Sequence, residues 1–131
     1  MEKRRISALI DQKLTSADLE YEEHPPSIRL TLENGWTQEF TGADVYQCFG
    51  KILEALPQVN FLCKGAKVNV RPSSMSSQMT SGIMAYEHQL GTRVTRKDVV
   101  HIFDFDDQDI VNDPQLQQAF FYRWLESIKQ S

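Results

Sequence analysis

Apolar residues near the amino terminus, Ile6, Leu9, Ile10 and Leu14, fall at i, i+3, i+4 and i+8 with charge on the opposite side, which predicts a surface helix over Lys3–Leu14. The tract TSADLEYEEH that follows is polar and runs into Pro25-Pro26, where fixed φ and missing amides stop regular structure. Strict alternation then takes over. Ile28, Leu30 and Leu32 alternate with Arg29 and Thr31, and Trp36, Gln38 and Phe40 alternate with Thr37 and Glu39, around Asn34-Gly35. This is a β-hairpin, and its register can be argued. A two-residue Asn34-Gly35 loop would put Trp36 and Phe40 on the face opposite Leu30 and Leu32. A three-residue loop, Glu33-Asn34-Gly35, pairs Leu32 with Trp36 and Ile28 with Phe40 on one face, with glycine at the left-handed position.

Period 3.6 returns with Val45, Tyr46, Phe49, Ile52, Leu53 and Leu56, the cleanest helical stripe in the chain. Thr41 with Asp44 reads as its capping box, and Pro57 ends it. Val59, Phe61 and Cys63, then Ala66, Val68 and Val70 across Lys64-Gly65, predict a second hairpin closed by Pro72. The segment Arg71–Gly82, rich in serine and methionine, reads as a loop, and Ile83–Leu90 as a fifth strand ended by Gly91. Thr95 with Asp98 suggests a capping box for a short helix through Val99, Ile102 and Phe103. Asp113-Pro114 suits the cap and first turn of a last helix, in which Leu116, Phe120, Trp124 and Ile128 recur every four residues. The expected architecture is a single α+β domain over residues 1–131: a mainly antiparallel sheet, built from two hairpins and a further strand, covered by helices.

Composition narrows the function. With 131 residues, 40% hydrophobic and 24% charged, the chain is long enough for one ordinary core and far from a disordered composition. No apolar run reaches membrane-spanning length and the start lacks a secretory h-region, so the expected location is cytoplasmic. Two cysteines, Cys48 and Cys63, read as buried thiols rather than a disulfide framework. The formal net charge of −4 is uneven: DFDDQDIVND, from Asp104 to Asp113, holds five carboxylates and no cation, and setting it aside leaves +1 on the rest. Such a patch can steer a basic partner.

Four constellations merit weighing. Asp104, Asp106 and Gln108 copy the opening of a calcium loop, but position 109 is Asp where Gly is needed and 115 is Gln where Glu is needed, so no metal is expected. Arg71, Ser73 and Ser74 could cradle an anion, with Met75 and Met79 four apart on one face of a short turn, more readily as a plug at a core edge than as ligand contacts. Cys63 with His88 or His101 could form a nucleophile and base, though nothing in the spacing joins them, and the three histidines lack metal-ligand spacing. In FFYRWLESI, Tyr122 and Arg123 point away from the apolar stripe and could form an exposed aromatic-basic pair beside the acidic patch. Dispersed basic residues argue against nucleic acid.

The segments LCKGAKVNVRPSSMSSQMTSGIMAYEHQLG, VVHIFDFDD and FFYRWLESI resemble those of a small family of bacterial cytoplasmic proteins. Size, acidic patch and build are similar to immunity proteins of interbacterial toxin systems, including contact-dependent growth inhibition. That resemblance implies a non-enzymatic inhibitor without a cofactor, covering the basic active-site cleft of a toxin domain. Residues suited to that contact are Asp104, Asp106, Asp107, Asp109, Tyr122 and Arg123. The alternatives are a ligand-binding or enzymatic domain using Arg71–Met79, and a homodimeric structural module.

Overall fold

The computed structural model describes residues 1–129. The amino-terminal helix expected from Ile6, Leu9, Ile10 and Leu14 is instead a long hairpin: β1 (Glu2–Ile10) pairs antiparallel with β2 (Lys13–Glu23) in the register Ile10↔Lys13 and Ile6↔Ala17. Asp11 and Gln12 both take positive φ, 51° and 64°, the backbone that a two-residue turn with the twist of its strands requires. The apolar residues that matter alternate: Ile6 and Ala8 in β1, and Ala17, Leu19 and Tyr21 in β2, are buried while Leu14 is 70% exposed. The polar tract is therefore a half-buried strand in which Asp18, Glu20 and Glu22 alternate with the buried Ala17, Leu19 and Tyr21.

Pro26 opens β3 (Pro26–Leu32), at a strand's first residue where a missing amide costs little. β4 (Thr37–Thr41) follows in the expected register, Ile28↔Phe40, with Gly35 at φ 91° and its amide donating to Leu32 O at 2.9 Å. The three-residue loop is the one formed.

Helix α1 (Val45–Ala55) buries Val45, Cys48, Phe49, Ile52 and Leu53, at about 1.5–3 kcal/mol for each large side chain. Its cap is Asp44 rather than Thr41: the carboxylate accepts from Gln47 N at 2.7 Å, satisfying a free amide of the first turn.

The second hairpin does not form. β5 (Val59–Leu62) pairs with β1, Ala8↔Phe61, completing a five-stranded sheet in the order β4-β3-β2-β1-β5. A 3-10 turn at Lys64–Ala66 then carries the chain into a second sheet of β6 (Val70–Arg71), β7 (Met84–Glu87) and β8 (Val99–His101) in that order. The passage is closely packed and suits glycine: a Cβ on Gly65 would stand 3.1 Å from Ile102 Cβ and 3.2 Å from the Phe49 ring, and the Gly65 amide donates to Ile102 O at 2.7 Å. Lys64-Gly65 is thus a passage between sheets.

Between β6 and β7 the serine-rich segment is a helix, α2 (Ser74–Thr80), capped by Ser73 Oγ accepting from Ser76 N at 3.0 Å. Thr95 and Asp98 do make their capping box, but around one 3-10 turn, and Val99 continues as β8 rather than helix. α3 (Pro114–Lys129) begins at the expected cap, with Asp113 Oδ1 accepting from Gln115 N at 2.9 Å. Its inward side is Gln117, Trp124 and Ile128, so the expected stripe holds at Trp124 and Ile128, while Leu116 is half exposed and Gln117 takes the inward place in the first turns. Phe49 joins the layers, meeting Phe61 and Phe103 edge-on at 5.8 and 5.5 Å, and Phe103 meets Tyr21 at 5.1 Å. The whole is α+β with mainly antiparallel sheets. Among the described residues no helix is long and apolar enough to cross a membrane.

Candidate functional site

The acidic stretch is laced along residues 62–68 by backbone bonds: Lys64 N donates to Asp104 O at 2.9 Å, Val68 N to Asp109 O at 2.9 Å, and Val111 N to Ala66 O at 3.0 Å. Its carboxylates divide into distinct roles. Asp106 turns inward, where Oδ2 accepts from Lys67 Nζ at 2.7 Å and Lys64 Nζ at 2.9 Å, with Glu87 3.2 Å from Lys67. Burial alone would raise the Asp106 pKa, but the bonds from Lys67, Gln108 N and Lys64 outweigh it and hold the carboxyl well below the usual range. Lys67 is 4% exposed and shifts the other way: burial would lower its pKa, and its bonds to Asp106 and Glu87 raise it. Asp106 is therefore a pin for the loop, which corrects its expected place at a partner contact.

Asp104 pairs with Arg4 at 2.8 Å on the surface and remains about half exposed. Asp107 and Asp109 are exposed, Asp107 accepting from its neighbour Gln108 at 3.1 Å, and Asp109 sits at φ 58°. The calcium-loop likeness thus meets a backbone of the left-handed kind at position 109, but Asp106, which would have to be a ligand, is consumed by two ammonium groups. Between these acids stands Phe105, 61% exposed and held by a bridge to Cys63. Sequence reading overlooked it, because one phenylalanine in a loop does not reveal whether its ring faces in or out.

Tyr122 is 55% exposed, and Arg123 lies over the Phe120 ring at 6.0 Å. Their surroundings are Leu90, Glu126 and Ser127, and no residue of the expected acidic stretch lines that surface.

The second candidate is a groove of about 730 Å³ where α1, the Arg71–Ser74 turn, α2 and α3 meet. Asp44, Lys51 and Glu54 line one side, Arg71, Ser73, Ser74 and Ser77 another, and Pro114, Gln118 and Phe121 a third. The Arg71 guanidinium lies over the Phe121 ring at 4.7 Å, and that ring is backed by Trp124 (5.7 Å, stacked) and His88 (5.6 Å, edge-on). Among the described residues no carboxylate pairs with Arg71. Asp44 is already engaged, by Gln47 N and by Ser77 Oγ at 2.5 Å. Tyr46 reaches across to Val70 O at 2.8 Å, and burial pushes its hydroxyl pKa up. Met75 does not line the groove, and Met75 and Met79 stand 68% and 74% exposed, so neither plugs a core edge.

The nucleophile-base pairing does not form. Cys63 is fully buried and burial pushes its thiol up to about 12. His88 packs on Trp124 at 4.4 Å with Nδ1 3.3 Å from Asn69 O, and His101 lies against Arg4 and Phe103 N. Neither Cys63 nor His88 lines the groove. Compared with protein-family models and with curated proteins, the chain has no match.

Proposed function

We propose that the chain is a binding protein rather than an enzyme, and that it occupies a positively charged surface of a protein partner, as immunity proteins do with toxin domains. The observation that carries the reading is Phe105, 61% exposed among Asp104, Asp107 and Asp109 on a loop anchored from beneath by Asp106. An aromatic ring supplies desolvated contact area, and the acids around it supply orientation and steering. Anchoring matters as much as charge. A loop already fixed by backbone bonds and a buried ion pair loses little freedom on association, so more of its contact energy appears as affinity.

The roles separate kinetically. Steering by such a patch lifts association toward about 10⁸–10⁹ M⁻¹s⁻¹ at low salt, against about 10⁵–10⁶ for unsteered pairs. With a basic protein that co-purifies with this chain as partner, replacing Asp107 and Asp109 by Asn is expected to slow association and flatten its salt dependence, whereas Phe105→Ala is expected to speed dissociation. Unchanged rates in both variants reject the reading.

A further inference from the structure

We infer that the groove beside Arg71 is a binding site for an organic monocarboxylate, separate from the acidic surface. Its dimensions fall within the range of small-molecule sites, about 300–1,000 Å³. The argument starts from Arg71, whose strand β6 is fixed by pairing with Tyr86 and whose guanidinium is seated on Phe121. With its central carbon 4.7 Å over the ring, the guanidinium has five N–H donors, not all of which the ring can occupy, and a free pair of them forms the fork that matches a planar carboxylate. Here none of the described carboxylates pairs with it, and the groove's Asp44 is spent on the Gln47 amide and the Ser77 hydroxyl.

Charge decides between anions. The lining holds two cations, Lys51 and Arg71, and two carboxylates, Asp44 and Glu54. Lys51 Nζ is directed to Thr41 O at 2.6 Å. A balanced wall with one uncommitted guanidinium suits a single negative charge and disfavours a phosphate dianion, which calls for several cations or a row of free amides. Pro72, Pro114 and Phe121 supply apolar surface for the body of the ligand. The carboxylate could belong to a free small molecule or to the end of a peptide chain, and the test separates them.

Titrations followed by amide chemical shifts would use 3-phenylpropionate, its amide, inorganic phosphate, and acetyl-Ala-Phe with a free or an amidated carboxyl. Expected are shifts at Arg71–Gln78 and Phe121 with the carboxylates and not with the amides or phosphate. Binding should weaken about tenfold in Arg71→Lys, the worth of one charge-assisted bond in a variant that keeps the charge but loses the fork. Response to the free-carboxyl peptide alone assigns the site to a chain terminus, and response to 3-phenylpropionate as well assigns it to small molecules. Equal binding of the amides, tighter binding of phosphate, unchanged affinity in Arg71→Lys, or no shift with any carboxylate would overturn the inference. Phe105→Ala should leave these titrations unchanged, so failure of the acidic-surface reading does not touch this one.

Discussion

Asp106 lies 2.7 Å from the ammonium of Lys67, and that lysine is 4% exposed. The pair lies under the surface from which Asp104, Phe105, Asp107 and Asp109 look outward, and it ties the loop to the passage between the two sheets. A carboxylate that looks like its neighbours in sequence thus has a different task. Asp106→Asn should destabilise the protein by about 1.5–3 kcal/mol, the range for a hydrogen bond to a charged group. It should stay below the roughly 3–5 kcal/mol of a fully orphaned buried charge, because Glu87 remains 3.2 Å from Lys67. Urea unfolding measures it, with Asp107→Asn as a control expected to change stability little.

Acid should weaken the fold in two stages. His88 and His101 both have pKa values lowered, first by burial, so their neutral forms are favoured in the native state. That stability is present above the unfolded value of about 6.5 and is lost as pH falls from there through the lower folded values. Asp106, held below its ordinary range, contributes stability that is present above about pH 4 and lost as pH drops further toward its folded value. Melting temperature against pH should show both slopes, and Asp106→Asn should remove part of the lower one only.

Gln117 is a buried polar residue on a helix face otherwise made of aromatic and aliphatic groups. Its Nε2 donates to Gly65 O at 2.8 Å and to Lys67 O at 2.9 Å, fastening α3 to the irregular segment between the sheets. Gln117→Leu preserves bulk but removes both bonds, leaving Lys67 O with only its long 3.5 Å bond from Val70 N, and should cost about 1–3 kcal/mol in unfolding experiments. A neutral result would mean that water replaces the amide.

Cys63 should resist thiol reagents in the native state. It is fully buried with its pKa pushed up to about 12, and Cys48, also buried, is raised to about 11. Labelling with an aromatic disulfide at neutral pH is expected only at the rate of opening, and should become fast in denaturant. Rapid native labelling of Cys63 would contradict the packing described.

Local signals were legible wherever neighbours in sequence are also neighbours in space. The β3–β4 register followed from alternation plus a glycine at the left-handed turn position, and the α1 stripe followed from spacing alone. The amino-terminal hairpin was hidden because Leu9, Ile10 and Leu14 mimic a helical period across a turn made by Asp11 and Gln12, residues that give no glycine signal. Met75 and Met79 were correctly placed four apart on a short turn, but their exposure could not be read from spacing.

By itself the sequence determined an α+β fold and gathered its negative charge into one short stretch, since hydrophobic period and charge order are properties of the chain. Only the tertiary structure decided that β5 joins β1 across some fifty residues, that Asp106 faces in while Phe105 faces out, and that Arg71 meets Phe121. Those outcomes depend on which distant surfaces exclude water from one another. No pattern within a dozen consecutive residues encodes that choice.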